Sequence, residues 1–118
     1  MNVPMRSHKN GKSVPVPHTI ADAQQIEIPG ELTFAVNRRL LTDILLVTDD
    51  EILTAMAFLF ERLKVVAEPS GASAVAALLA RKVNVANSRV GVVISGGNVG
   101  IQRFCALLAS RNGKQPSQ

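Results

Sequence analysis

The sequence predicts an α/β fold in which helices are layered on a parallel sheet. Two apolar runs, Ile44 to Val47 and Val90 to Ile94, lack the polar alternation of a half-exposed strand. Such runs are typical of strands buried on both faces of a parallel sheet. Helical patterns lie before, between and after the runs. The order helix, strand, helix, helix, strand, helix therefore indicates helices layered on parallel strands.

The composition supports a folded core and argues against nucleic acid as a partner. Of the 118 residues, 47% are hydrophobic, as in ordinary globular domains. The net charge of +4 comes from the ends, because residues 1–18 hold three basic residues and residues 111–118 hold two, with no acid in either. The chain has four Phe and no Trp or Tyr. It therefore offers neither a basic face nor aromatic rings on which bases stack.

The two ends are predicted to lie outside the folded part. Residues 1–18 mix proline, glycine and basic residues without a period, which predicts a flexible basic arm, and residues 112–118 form a polar tail. The α/β segment then spans residues 19–111. No apolar run reaches the roughly 18 residues of a spanning helix, so no membrane partner is expected. The single cysteine, Cys105, has no intramolecular disulfide partner and favours a reducing compartment, the cytoplasm.

Two helices are predicted in the first half of the chain. The first runs from Glu31 to Leu41. Thr48 and Glu51 then form the pattern of a capping box, in which each side chain bonds the backbone amide of the other, and a helix follows from Asp49 to about Lys64. The apolar positions expected to face the core are Leu32, Ala35, Val36 and Leu40 in the first helix, and Ile52, Ala55, Met56, Leu59 and Leu63, widened by Phe58 and Phe60, in the second.

Two further helices are predicted in the second half. Ser70 is a candidate N-cap for an alanine-rich helix from Gly71 to about Lys82, whose small residues allow close packing. The predicted strand from Val90 to Ile94 leads into a glycine turn, Ser95 to Asn98. Beyond this turn, apolar residues recur at helical spacing until Gly113, namely Ile101, Phe104, Cys105, Leu107 and Leu108.

The turn from Ser95 to Asn98 is the first candidate site. It follows a predicted strand, and ligands of open parallel sheets lie at the carboxyl ends of the strands. Gly96 and Gly97 either let a ligand approach the backbone or serve only a tight turn, and the pattern leaves both interpretations open. The turn does not match the dinucleotide fingerprint G-x-G-x-x-G, and the chain holds no phosphate-binding Gly-Lys-Ser/Thr loop.

Two weaker candidates lie elsewhere in the chain. Glu68 places a carboxylate directly before a helix N-terminus, whose free amides bind anions, although an acid is also a usual start of a helix. The segment from His18 to Asp22 combines a histidine with a carboxylate, but His8 is the only other histidine. A metal site or a Ser/His/Asp triad is therefore not expected.

Three ordered segments resemble a known enzyme family. They are Thr19-Ile20-Ala21-Asp22, then Val65-Val66-Ala67-Glu68-Pro69-Ser70-Gly71-Ala72, then Val92-Val93-Ile94-Ser95-Gly96-Gly97-Asn98-Val99. The set resembles the serine/threonine dehydratase and serine racemase family of fold-type II pyridoxal-phosphate enzymes. Pro29 to Phe34 and Thr48 to Glu51 are similar as well. The resemblance spans roughly Ser13 to Leu108 and implies a partial three-layer parallel-sheet domain, the C-terminal part of the family's large domain.

The resemblance implies a cofactor site. In such enzymes the serine of the Ser-Gly-Gly-Asn turn bonds the pyridine nitrogen of pyridoxal phosphate, and the Glu-Pro turn lies beside the ring. Ala23 stands where the family usually has glycine, and its methyl group would cost about 1 kcal/mol if the position needed a positive φ. The implied substrate is a small hydroxy amino acid. The cofactor-binding residues so implied are Ser95, Gly96, Gly97, Asn98, Glu68 and Ala23.

The resemblance also implies features that this sequence lacks. The family attaches its cofactor through a lysine in a Ser-x-Lys-x-Arg segment, holds the phosphate in a glycine-rich loop and binds the substrate carboxylate with a Ser-Gly-Asn-His loop. None of these occurs here. Ser7-His8-Lys9 has the Ser-x-Lys spacing without the arginine, so Lys9 is not expected to form the Schiff base, and no catalytic residue is assigned.

Three functions remain open at this stage. The first is a truncated or fragmentary pyridoxal-phosphate β-eliminating lyase, inactive alone, with the missing N-terminal half as its partner. The second is a non-catalytic interaction module that folds against a partner chain or associates with itself, because several helices carry apolar stripes. The third is a small-molecule-binding domain that uses the Ser95 turn for an unrelated ligand. A lysine-bearing half encoded upstream in the same frame would favour the first over the second.

Overall fold

A computed structural model describes residues 18–26 and 28–112 of the chain. Most of the predicted arm, residues 1–17, and most of the predicted tail, residues 113–118, lie outside the described residues. The chain divides into two compact units, Met1–Leu46 and Val47–Gln118. The second unit holds the Glu68 and Ser95 segments, and the first holds Ala23.

Helices account for the regular secondary structure of the described residues. None of them is both long and apolar enough to cross a membrane. The predicted helices all form, with bounds that differ from the predicted ones by three residues at most. They are α1 (Glu31–Leu40), α2 (Asp49–Phe58, continued by a π turn Leu59–Leu63), α3 (Pro69–Leu79) and α4 (Ile101–Asn112), preceded by a 3₁₀ turn, Asp22–Gln24.

Helix α1 begins and ends with residues that favour helix termini, and its apolar stripe is exposed. Gly30 occupies the N-cap with extended backbone, and Arg38 and Arg39 lie in the last turn, where cations stabilise the helix dipole. The stripe expected to be buried is exposed, since Leu32 is 85% accessible and Leu40 is 74% accessible. The helix is confirmed and its predicted buried face is wrong, because no apolar surface among the described residues of this unit covers it.

The predicted capping box starts helix α2. The Thr48 hydroxyl accepts a hydrogen bond from the Glu51 amide at 3.2 Å, and the Glu51 carboxylate accepts one from the Thr48 amide at 2.7 Å. Asp49 and Asp50 share the first turn, where negative charge is favoured by the dipole. This local pattern satisfies two backbone amides that have no partner within the helix.

The π turn at the end of α2 changes which side chains are buried. Leu59 is fully buried, whereas Leu63 is 58% exposed. A π turn has i→i+5 hydrogen bonds and is wider than an α turn, so Leu63 does not return to the face that Leu59 occupies. Phe58 and Phe60, predicted to widen the buried stripe, are also partly exposed. The prediction that Leu63 belongs to the core is therefore wrong.

Helix α3 begins earlier than predicted. Glu68, not Ser70, is the N-cap residue, with extended backbone. Pro69 takes the first helical position, which suits proline because its φ is preset and an amide there has no partner within the helix. The predicted cap at Ser70 is therefore wrong, and Ser70 is instead a buried residue of the first turn.

Helix α3 also ends earlier than predicted, at a Schellman-type C-terminus. The amide of Arg81 donates to the carbonyl of Leu78 at 3.0 Å, and that of Lys82 donates to the carbonyl of Ala77 at 2.9 Å. Arg81 has a left-handed backbone, with φ of 53°. Such a residue closes a helix, so Lys82 lies just beyond α3.

Helix α2 packs against α3 and α4 to form the core of the second unit. Ala55 of α2 and Ala72 and Ala76 of α3 are completely buried, so small side chains let these two helices approach closely, as predicted. Phe60 contacts Phe104 of α4 edge to face, with ring centroids 5.5 Å apart and planes at 64°, a favoured aromatic geometry.

The two predicted strands do not form a sheet within the described residues. Neither Ile44–Val47 nor Val90–Ile94 is a strand. No hydrogen bond joins the backbone of Val90–Ile94 to any other part of the described chain, and Val93 is 79% exposed. A strand exists only when a neighbouring strand takes its amides and carbonyls, so the apolar composition that predicted these strands does not produce them here.

Candidate functional site

The Ser95–Asn98 turn lies against the segment that leads into α3. The amide of Glu68 donates a hydrogen bond to the carbonyl of Gly96 at 3.1 Å. This bond places Glu68 next to the residue that follows Ser95. The resemblance assigns both segments to one cofactor ring, which implies that Glu68 and Ser95 lie close together although they are 27 positions apart in the sequence, and the backbone contact confirms this proximity.

A side chain at either glycine of the turn would meet neighbouring atoms. A Cβ on Gly97 would lie 2.5 Å from the carbonyl oxygen of Val66, and a Cβ on Gly96 would overlap the Glu68 carboxylate. Neither glycine has a φ between +20° and +160°. Packing therefore gives a firm structural reason for Gly97, whose Cβ would meet a backbone atom, and a weaker one for Gly96, whose Cβ would meet only the end of the Glu68 side chain.

The polar side chains of the turn remain available. Ser95 and Asn98 are exposed, and neither makes a side-chain hydrogen bond within residues 18–26 and 28–112. The turn itself is held by a bond from the Val99 amide to the Gly97 carbonyl at 2.8 Å, just before α4 begins. The backbone is thus fixed while a hydroxyl and an amide project from it.

Glu68 supplies the negative charge at this site. It is half-buried, and its side chain does not cap α3, although its backbone carbonyl accepts the Ala72 amide at 3.0 Å. The carboxylate lies instead against Gly96. A carboxylate and a hydroxyl therefore lie on adjoining segments, and together they present one acceptor group and one group that both donates and accepts hydrogen bonds.

Ala23 belongs to the other compact unit. It lies in the Asp22–Gln24 turn with an exposed side chain, and its amide bonds the Asp22 carboxylate at 3.0 Å. It is not among the positive-φ residues of the chain. The conformational cost considered for a methyl group at this position therefore does not arise from φ. The structure leaves the proposed cofactor role of Ala23 as a prediction.

Two residues of this site were not identified from the sequence. Val66 supplies the carbonyl that excludes a side chain at Gly97, and Gly71 lies against Gly96 from the first turn of α3. Gly71 had a detectable signal, since glycine disfavours the interior of a helix and stands here in the first turn of an otherwise alanine-rich one. Val66 had none, because its contribution is a backbone atom.

Comparison with known proteins identifies the class to which this chain belongs. The family model for pyridoxal-phosphate dependent enzymes matches residues 2–96. This match covers most of the chain, and the chain belongs to that family.

Individual relatives agree with this assignment. The chain is 40% identical over 108 residues to the L-threo-3-hydroxyaspartate ammonia-lyase of Saccharomyces cerevisiae, covering 90% of this chain and 33% of that enzyme. It is 44% identical over 87 residues to the catabolic L-threonine dehydratase of Escherichia coli, covering 72% of this chain and 26% of that enzyme. The solved serine racemase of Dictyostelium discoideum matches with a TM-score of 0.71 at 37% identity, covering 82% of this chain and 32% of that structure. The chain thus spans about a quarter to a third of the length of these relatives.

Proposed function

We propose that the Ser95–Asn98 turn and Glu68 form the wall of a pyridoxal-phosphate site that faces the cofactor's pyridine nitrogen. The observation that carries this proposal is the bond from the Glu68 amide to the Gly96 carbonyl, which joins the two implied cofactor segments. The exposed hydroxyl of Ser95 has no partner in the described chain, so it is free to bond a ring nitrogen. The residues present therefore fit the group that the family binds.

The chemistry of a hydroxyl at this position favours elimination. Pyridoxal phosphate, when bound, supplies an electron sink for reactions at the α-carbon of an amino acid. A serine hydroxyl is a far weaker acid than a carboxylic group, so Ser95 bonds the ring nitrogen without keeping it fully protonated. With its ring nitrogen not fully protonated, the cofactor withdraws electrons less strongly, and this suits elimination of a β-hydroxyl group. Ser95 thus orients the ring, and Gly96 and Gly97 keep that wall rigid.

The proposed substrate class is a small amino acid with a β-hydroxyl group. The relatives are named for hydroxyaspartate, threonine and serine, which share this group. We further propose that the chain alone does not catalyse the reaction. Its lysines lie outside any Ser-x-Lys-x-Arg segment, and its sequence holds neither the family's glycine-rich phosphate loop nor its Ser-Gly-Asn-His loop. A polypeptide bearing those segments, the family's N-terminal part, is the proposed partner, and the cytoplasm is the proposed location.

The test of the site uses pyridoxine 5′-phosphate, which has the ring nitrogen and the phosphate but no aldehyde to react with lysine. Amide signals of the full chain are followed by nuclear magnetic resonance as this probe is added. We expect the signals of Glu68 and Ser95–Asn98 to shift in the unaltered chain and in Ser88→Ala, and to shift much less in Ser95→Ala. Ser88 is an exposed serine of the same unit. Equal responses in Ser95→Ala and Ser88→Ala would remove the role from Ser95.

The proposed inactivity has its own measurement. We expect borohydride reduction of the chain mixed with pyridoxal phosphate to leave no stoichiometric pyridoxyl group on any lysine, because none lies in an attachment motif. Peptide mapping after the reduction checks Lys9, Lys12, Lys64, Lys82 and Lys114. A full equivalent on one of them would overturn the proposal, whereas slow partial labelling of several exposed lysines agrees with it.

A non-catalytic interaction module is the second candidate function. The exposed apolar stripe of α1, with Leu32 and Leu40, favours it, because an exposed apolar face of this kind marks a contact surface. The pyridoxine 5′-phosphate titration distinguishes this function from the cofactor site, because the amide signals of Ser95–Asn98 in a pure interaction module would not shift when the probe is added.

A further inference from the structure

Gly71 lies where no side chain fits. It is buried in the first turn of α3. A Cβ at this position would overlap the carbonyl oxygen of Gly96 and would lie 3.0 Å from its amide nitrogen and 3.3 Å from its carbonyl carbon. All three are backbone atoms, which do not swing aside as the end of a long side chain does. The conflict at Gly71 is therefore resolved only by moving one segment away from the other.

Helix formation gives no reason for glycine at this position. Gly71 is part of the helix and has no φ between +20° and +160°, and glycine forms helices less readily than alanine. Alanine at the same position would strengthen α3 as a helix. The reason for glycine is therefore its tertiary contact with Gly96.

We propose that Gly71 is a positioning residue for the Ser95–Asn98 turn. Because Gly71 has no side chain, the first turn of α3 packs directly on Gly96, and the Glu68 amide reaches the Gly96 carbonyl at 3.1 Å. On the other side of the turn, Gly97 packs on the carbonyl of Val66. The turn is thus fixed by backbone contacts on both sides, and these contacts determine where the Ser95 hydroxyl lies. The relevance of Gly71 to a cofactor rests on the proposed function, whereas the contact itself does not.

The test compares Gly71→Ala with Gly91→Ala in the full chain. Gly91 precedes the same turn, and a Cβ there would have no atom within 4 Å, so it is a matched control. Hydrogen exchange resolved by residue follows the Glu68 amide and the amides of α3 from Ser73 to Leu79. In Gly71→Ala we expect the Glu68 amide to exchange about tenfold faster, while the α3 amides keep or increase their protection because alanine favours a helix. In Gly91→Ala we expect no change at Glu68.

Faster exchange at the Glu68 amide, together with unchanged or slower exchange in α3, distinguishes a positioning role of Gly71 from a general contribution to the stability of the fold. Unchanged exchange at Glu68 in Gly71→Ala would overturn the proposal. If Gly71→Ala unfolds in buffer, the measurement is repeated in trimethylamine N-oxide, which favours the folded state. Loss of α3 even there also overturns the proposal, because Gly71 would then support the whole unit. Failure of the pyridoxine 5′-phosphate titration would refute the cofactor site and leave this exchange result intact.

Discussion

At the scale of single residues, Glu68 has two separate roles. Its backbone bonds the Gly96 carbonyl and starts α3 by accepting the Ala72 amide. Its carboxylate lies against Gly96 and makes no hydrogen bond within the described chain. The backbone role follows from the fold, whereas the carboxylate is available to a ligand. A change of the side chain alone, such as Glu68→Gln, therefore alters the charge of the site and leaves these two backbone bonds in place.

The two glycines of the turn are expected to respond differently to substitution. In Gly97→Ala the new methyl group meets the backbone carbonyl of Val66, and overpacking of this kind costs about 1–3 kcal/mol of unfolding free energy. In Gly96→Ala it meets only the end of the Glu68 side chain, which rotates away at a smaller cost. Urea unfolding measures both.

A third glycine serves as the control for that comparison. Gly91 precedes the same turn, and a Cβ there would have no atom within 4 Å, so Gly91→Ala should stay close to the unaltered chain. An equal loss of stability in Gly96→Ala and Gly97→Ala would contradict the packing argument.

At the scale of elements, α2 and α3 are tied together by an ion pair at the surface. Lys82, just beyond α3, lies 2.8 Å from the carboxylate of Glu51 in the first turn of α2. The hydrogen bond from Lys82, with further bonds from Thr48, lowers the pKa of Glu51. Because the pKa is lower in the folded state, this interaction stabilises the fold above the unfolded value of about 4.3 and is lost as the pH falls through the folded value.

Removal of Lys82 should therefore have a pH-dependent effect. We expect Lys82→Gln to lower the free energy of unfolding by roughly 0.2–1 kcal/mol at pH 7, as for other exposed pairs, and the difference from the unaltered chain to shrink as the pH is lowered below about 4. Denaturant melts at several pH values measure this. Arg89→Gln, at an exposed position, is the control. A difference that stays constant down to acid pH would show that the pair is not its source.

The C-terminus of α3 offers a stabilising change. Arg81 has a left-handed backbone, which costs a non-glycine residue about 1–2 kcal/mol. Arg81→Gly is expected to raise the free energy of unfolding by about 0.5–1 kcal/mol, because part of that gain is offset by the entropy of glycine in the unfolded chain. Ala80→Gly, at a neighbour with φ of −78°, should instead lower it. Thermal or urea melts that rank these variants in the reverse order would contradict the conformational argument.

At the scale of the whole molecule, much apolar surface stays exposed. The large apolar side chains include Leu32, Leu40, Val93 and Ile101, each more than 70% accessible. The backbone of Val90–Ile94 makes no hydrogen bond within the described chain. A segment with exposed apolar side chains and an unpaired backbone is a surface on which a strand of another chain pairs. The relatives that this chain matches are about three times as long as the chain itself.

This surface leads to a prediction for the chain in solution. We expect it to self-associate or to bind a hydrophobic dye, because many large apolar side chains are exposed and exposed apolar patches promote association. Sedimentation at several concentrations and dye fluorescence measure the two effects. A charged residue at the most exposed position of the segment, Val93→Lys, should reduce association, whereas Arg89→Gln should not. A monodisperse monomer without dye binding and with a cooperative melt would indicate that the chain folds as a complete domain.

The sequence by itself determined the features that depend on neighbouring residues. The capping box of Thr48 and Glu51, the positions of four helices and the order of motifs that indicates a pyridoxal-phosphate enzyme were all readable, because caps and helical periods are local. The proximity of Glu68 to the Ser95 turn also followed, because the family resemblance assigns both segments to one cofactor ring; the predicted sheet edge contributed nothing, since no sheet forms in the described residues.

Only the tertiary structure decided the features that depend on distant backbone atoms. No local signal indicated the π turn that exposes Leu63, the backbone atoms that lie against Gly71 and Gly97, or the absence of a sheet around Val90–Ile94 in the described chain. A helical period does not reveal where a turn widens, and a glycine does not reveal which carbonyl lies against it. A β-strand forms only when two segments pair through their backbones. An apolar run therefore predicts that a segment is able to pair, but a strand forms only where a partner segment lies beside it.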